Sequence, residues 1–167
     1  MKTIYVAGFL FSKNANLVSL IEKQKPEWQK GKWNAIGGKV EPNETILQAM
    51  QREFKEETGV DINDWSSFCL LSGEDSEVHF FSCFSDEIFN IKTIESERVE
   101  YFTIETLQNL NTIYNLKWLI PLALDKGMTV KAFEKNSKII NKSCIVCGDK
   151  NGGQYGVCDI CDIAELN

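Results

Sequence analysis

Positive charge is in short supply in this chain: 18 Lys and Arg stand against 24 Asp and Glu, leaving a net charge of -6. That balance argues against a broad nucleic-acid footprint, because phosphate backbones demand a surplus of Lys and Arg. An acidic protein can still hold a polyphosphate through metal. Long apolar runs are also missing. No stretch approaches the ~20 residues that span a bilayer, so no membrane partner is expected. The opening MKTIYVAGFLF has too short an apolar run for a secretion signal and lacks a small-residue cleavage site. It reads as a strand, and the protein is expected to be soluble and cytoplasmic. Internal repeats and low-complexity tracts are absent. Histidine is nearly absent too; the one present, His79, lies in an apolar strand segment and reads as a packed residue rather than a ligand. What the chain does have is apolar mass. Of its 167 residues 43% are hydrophobic, with 10 Phe, 4 Trp and 4 Tyr, enough for a substantial core in one domain with a small appendage.

The strongest chemical signal lies at residues 38–60. Gly38 is followed after five residues by Glu44, and after seven more by Arg52, Glu53, Phe54, Lys55, Glu56, Glu57, Thr58, Gly59 and Val60. No Pro or Gly interrupts residues 44–58, and Ile46, Leu47, Met50 and Phe54 recur at helical intervals. The spacing predicts a helix with one buried stripe. At about 100° per residue, Glu53, Glu56 and Glu57 share an arc of roughly 100° flanking that stripe, with the small Ala49 one turn earlier. Oxygen donors at this density suit Mg²⁺ or Mn²⁺, ions that bind a few carboxylates and leave other positions for water and phosphate oxygens. Arg52, four residues before Glu56, can neutralise part of the charge. Gly59 ends the helix. A plainer reading of REFKEE is a solvated face laced with ion pairs. The Gly37-Gly38 pair favours a site, because a Cβ there obstructs close approach of the backbone.

Together these residues resemble the Nudix family, whose signature G-x5-E-x7-R-E-U-x-E-E-x-G-U is complete here, with Phe54 and Val60 in the apolar places. The resemblance implies an α/β fold, a Nudix α/β/α sandwich around a mixed sheet, and hydrolysis of a nucleoside diphosphate linked to another moiety. By position it assigns metal ligation to Glu53, Glu56 and Glu57, with the Gly38 carbonyl contributing, and gives Glu44 a mainly structural role. A phosphoanhydride resists attack because its oxygens are already negative. A divalent ion neutralises them, orients a water and lowers its pKa. Glu56 or Glu57 can deprotonate that water. Many Nudix enzymes also place a further glutamate on a loop after the signature, where Glu95 and Glu97 stand here; Glu97 is the favoured base, with a solvated charge as the alternative for either.

Substrate readings come from the same resemblance. The stretch GKWNAIGGKV at 31–40 is similar to the MutT-type branch, in which the asparagine contacts the base. Carried over, Asn34 reads a base edge, while Trp33 reads as packing. Lys39 faces either phosphate or bulk solvent. Where members of that branch can carry an Asp pair that recognises the purine, this chain has Tyr114 and Asn115. Asn115 is kept as a candidate base contact and Tyr114 as a stacking residue, with packing as the equal alternative, and the base is left open. The implied reaction takes a nucleoside triphosphate to monophosphate and pyrophosphate. The alternatives are a dinucleotide or ADP-sugar substrate, or a non-catalytic nucleotide-sensing module.

Along the chain, residues 3–11 and 17–22 read as a hairpin joined at 12–16, and residues 23–32 as a polar connection forming one wall of the substrate mouth. Further strands are expected near 68–71, 78–84 and 97–104, with a short helix at 105–110. Residues 116–124 read as a second helix, though Pro121 moves its expected start as late as Ile120. The Nudix domain is bounded at 1–127 and a charged linker at 128–142.

Residues 143–167 form a four-cysteine element. Cys144-x2-Cys147, ten residues and Cys158-x2-Cys161 bracket a Gly-rich stretch, the spacing of a closed tetrahedral Zn²⁺ site. Disulfides are the competing reading, disfavoured in a reducing cytosol. A structural ion there supplies on the order of 10 kcal/mol to a tail too small for a core of its own. The tail resembles a zinc ribbon; its acidic residues point to a protein partner or homodimer contact rather than nucleic acid. Cys69 and Cys83, in apolar strands, read as inert buried thiols.

Overall fold

The structure is a computed structural model and describes residues 2–133. Strand β1 (Thr3–Phe11) turns back into β2 (Leu17–Lys23). Short polar side chains close that turn: Ser12 Oγ donates to Asn14 Oδ1 at 2.7 Å and accepts from the Leu17 N–H at 3.0 Å. Then follow β3 (Lys32–Asn34), helix α1 (Ile46–Thr58), β4 (Ser66–Ser72), β5 (Ser76–Phe84), β6 (Arg98–Thr103), helix α2 (Leu116–Leu124) and β7 (Val130–Phe133). One seven-stranded sheet has the order β3-β2-β1-β5-β4-β7, and β6 also pairs with β2. The β1/β5 and β4/β7 pairs are parallel and the others antiparallel, so the sheet is mixed as expected.

Alternation along the central strands feeds two cores. Val6, Leu10 and Ile21 join Met50, Phe54, Ile62 and Trp65 on the α1 side, while Phe9, Phe11, Val18 and Leu20 join Phe68, Phe80, Leu116, Leu119 and Ile120 on the α2 side. With both faces covered, β1 is a nearly continuous apolar run rather than an alternating one. Edge-to-face packing of Phe54 on Trp65, centroids 5.0 Å apart, helps to hold α1 against the sheet.

Local departures from the sequence reading have local causes. Helix α1 starts at Ile46, not 44. Thr45 caps it by accepting from the Gln48 N–H, and Gln48 Oε1 accepts in return from the Thr45 N–H at 2.8 Å. Helix α2 runs unbroken through Pro121, correcting its late start. Pro121 lies on the exposed side, and burial of Leu116, Leu119, Ile120 and Ala123 offsets the missing hydrogen bond. The short helix expected at 105–110 forms as a 3-10 helix, Ile104–Asn109. Residues 130–133, expected within the linker, extend the sheet by pairing with β4. Cys69 and Cys83 are buried free thiols. No helix among the described residues is long and apolar enough to cross a membrane. The four cysteines Cys144, Cys147, Cys158 and Cys161 lie outside the described residues.

Candidate active site

The site is assembled where α1 meets a strip of chain laid along β1. Residues 36–40 run beside that strand: the Ile36 carbonyl accepts from Gly8 N–H at 2.7 Å, the Gly38 carbonyl from Val6 N–H at 2.9 Å, and Val40 N–H donates to the Ile4 carbonyl at 3.0 Å. The two glycines are needed for different reasons. A Cβ on Gly37, whose φ is +155°, would overlap the Val6 carbonyl oxygen, whereas a Cβ on Gly38 would overlap the Glu53 carboxylate. Glu53 therefore lies directly against the Gly38 backbone.

Arg52 organises the acidic groups around it. Its guanidinium donates to Glu44 at 3.0 and 2.7 Å, to Glu53 Oε1 at 2.9 Å, to Glu56 Oε2 at 2.9 Å and to the Lys39 carbonyl at 3.1 Å. Paired bidentately with Arg52, Glu44 ties the loop to the helix, and that hydrogen bond holds its carboxyl below the usual range. Burial pushes Glu53 up, against the pull of Arg52.

Glu57 behaves differently. It is 9% exposed, and its Oε2 is buried with no hydrogen-bond partner among the described residues. Burial first, then the charge of Glu95, pushes its pKa up to about 7, although Lys23 pulls the other way. Glu95 is brought near by the loop at 91–97, whose Lys92 and Ile94 N–H groups donate to the carbonyls of Thr58 and Glu57 at 3.0 and 3.2 Å.

Among the described residues no group of three His, Cys, Asp or Glu side chains is gathered around one point: Arg52 pairs with Glu53 and Glu56. Glu97, the loop glutamate favoured as base, is engaged by other groups. Its carboxylate takes an ion pair from Lys23 and backbone N–H groups from Gln24 and Lys25. Burial raises its pKa, but those donors outweigh burial and hold it low.

The donor set nonetheless fits a hard divalent cation. A buried, unpartnered carboxylate oxygen on Glu57 lacks the counter-group that buried acceptors ordinarily have, and the Glu53 carboxylate rests on a glycine that only hydrogen can occupy.

On the base side, Asn34 ends β3, and its neighbour Trp33 is packed edge-on against Phe102 with centroids 4.7 Å apart. The Trp33 N–H donates to the Asn111 carbonyl at 2.8 Å and its carbonyl accepts from Ile113 N–H at 2.9 Å. Those bonds set residues 111–115 alongside β3, so that Asn34 and Asn115 come from adjoining segments. Asn115 stands at the N-terminal boundary of α2 without a side-chain cap hydrogen bond, its Oδ1 buried and unpartnered. Lys39 is exposed, and the Lys117 ammonium lies 5.0 Å from the Tyr114 ring centroid. Sequence reasoning missed Gln29, which accepts from Asn34 Nδ2 at 3.2 Å, and the 61% exposed Trp28 beside it. A run so polar gives no periodic signal to mark them. A separate cavity of about 180 Å³, lined by Ser66, Phe84 and Lys126 among others, includes none of the expected site residues.

Comparison with known proteins follows the same lines. The family model described as NUDIX domain matches residues 1–120. The oxidized purine nucleoside triphosphate hydrolase of Mus musculus is 30% identical over 114 residues, 64% of this chain and 72% of that protein. The 8-oxo-dGDP phosphatase NUDT18 of Homo sapiens is 43% identical over 56 residues, 34% of this chain, and this match spans only 17% of that longer protein. A solved MutT structure, from work on the Aliivibrio salmonicida and Vibrio cholerae proteins, shares the fold with a TM-score of 0.64 at 22% identity, covering 74% of this chain and 98% of that one. A complete signature on the helix that lines the site, and a family match over most of the chain, lead to one conclusion: this chain belongs to the Nudix hydrolase family.

Proposed function

We propose that the chain hydrolyses a phosphoanhydride of a nucleoside triphosphate, releasing the monophosphate and pyrophosphate, with Mg²⁺ or Mn²⁺ as cofactor. The observation that carries this reading is the buried, unpartnered Glu57 carboxylate on the signature helix. Glu53, Glu56 and Glu57 would hold the ion, with the Gly38 carbonyl contributing. Held there, the ion would neutralise phosphate oxygens and lower the pKa of a water. Glu56 or Glu57 would take the proton from an attacking water. Asn34 and Asn115 contact the base, and the exposed Lys39 supplies an ammonium to the phosphates. Oxidised purine nucleotides enter as candidate substrates through the named relatives.

Product analysis tests this reading. Incubation with Mg²⁺ and a panel of nucleotides is expected to give monophosphate and pyrophosphate from a triphosphate; two monophosphates from a dinucleotide would move the assignment to the dinucleotide class. No cleavage of any nucleotide would remove the reading.

For residues 143–167 we propose, from cysteine spacing alone, a structural Zn²⁺ held by Cys144, Cys147, Cys158 and Cys161. Cys144→Ser should release zinc and lower the thermal midpoint. Metal analysis of purified wild type that finds no zinc would refute it.

A further inference from the structure

Gln29 stands behind the residue expected to read the base. The Asn34 amide is fixed at both ends: Oδ1 accepts from the Ala35 N–H at 2.8 Å, and Nδ2 donates to Gln29 Oε1 at 3.2 Å. The first bond settles which end is which, since a backbone N–H needs an oxygen to meet. Asn34 is left with one uncommitted N–H.

Gln29 is itself well held. It ends the turn Glu27–Gln29, donating its backbone N–H to the Pro26 carbonyl at 2.8 Å, while Lys30 N–H reaches the Glu27 carbonyl at 3.2 Å. Just upstream, Gln24 and Lys25 are pinned by their backbone N–H groups to the Glu97 carboxylate, which Lys23 also pairs. The turn is thus anchored to the start of β6, and it offers Asn34 an acceptor from a framed position.

We propose that Gln29 is a positioning residue for base selection: by accepting from Asn34 Nδ2 it keeps the remaining Asn34 N–H turned to the substrate, so that the site favours a keto edge over an amino edge. This rests on Asn34 contacting the base, as in the proposed function. An N–H donor pairs with a carbonyl oxygen and is left facing another donor by an exocyclic amine, an unpaired arrangement that discriminates strongly in a desolvated site.

The test compares wild type, Gln29→Leu and Gln29→Glu on dGTP and dATP, which differ in a keto or amino group at purine position 6, with dITP, keto at that position and lacking guanine's 2-amino group, expected to follow dGTP. Wild type should favour dGTP. Gln29→Leu should raise KM for dGTP about fivefold, the scale of one neutral hydrogen bond, with kcat little changed and the dGTP/dATP preference diminished. Gln29→Glu keeps an acceptor oxygen and should restore both. A merely structural role predicts loss in both variants and a lowered unfolding midpoint. Unchanged preference in Gln29→Leu, no rescue by Gln29→Glu, or a wild type that favours dATP would each overturn the inference. Should wild type cleave neither nucleotide, the proposed function stands or falls on the wider nucleotide panel, and calorimetric binding of dGMP against dAMP to the same three proteins decides the role of Gln29 by the same criteria.

Discussion

Glu57→Gln is expected to remove most turnover, by at least about a hundredfold in kcat, while leaving the protein folded. Glutamine preserves the shape of the side chain and deletes both its charge and its capacity to take a proton. The same substitution has a second, opposite effect on stability in the absence of metal. Burial, followed by the Glu95 charge, raises the folded-state pKa of Glu57 from 4.5 to about 7. Below pH 4.5 the group is protonated folded or unfolded and contributes nothing. As pH rises from there, the unfolded chain ionises freely while the folded one resists, so a penalty grows and levels off above pH 7. Its full size is on the order of 3 kcal/mol. In chelator, wild type should therefore lose stability across pH 4.5 to 7, and Glu57→Gln should show that slope removed. Mg²⁺ should restore wild type at pH 8 and leave the variant nearly unmoved. Thermal unfolding at several pH values, with and without Mg²⁺, reads all of this; coincident pH profiles for the two proteins, or unimpaired hydrolysis by the variant, would show the site to be elsewhere.

The adjoining glycines give the second large effect, and they should separate. In Gly37→Ala the new methyl meets the Val6 carbonyl oxygen and the Ala7 Cα, both main-chain atoms of the central strand that have nowhere to retreat. A loss of about 3 kcal/mol follows, with a fall in soluble yield. In Gly38→Ala the methyl meets the end of the Glu53 side chain, which can swing away at little cost to the fold. Stability should change by less than about 1 kcal/mol while Mg²⁺-dependent turnover drops tenfold or more. Denaturant midpoints alongside kcat for both variants make the comparison. Equal losses of stability in the two would mean that Glu53 is not seated on Gly38.

Residues whose environment is set by near neighbours were readable in advance. Strand β1 was legible to its ends because a strand buried on both faces must be apolar throughout, and α1 because its stripe and its closing glycine are periodic signals. The Thr45-x-x-Gln48 capping box was equally available and fixes the start of that helix. Contacts between distant segments were not. Lys23 and Glu97 are separated by 74 residues, and only the antiparallel pairing of β2 with β6 brings them together. Glu97 accordingly looked like a loop carboxylate open to chemistry. The sharing of Arg52 among three glutamates was half visible, through its spacing to Glu56, but its grip on Glu44 depends on how the 39–44 loop folds back. Strand β3 and Gln29 escaped because a polar segment of a few residues carries no period.

The hydrogen bonds from Lys92 and Ile94 to the last carbonyls of α1 make the peptide of Glu57 a shared joint between two parts of the chain. Lengthening or shortening the segment between β5 and β6 would tug on that joint before it reached any side chain. Natural or engineered variation there is thus a means of retuning proton affinity at a distance, with every signature residue left intact.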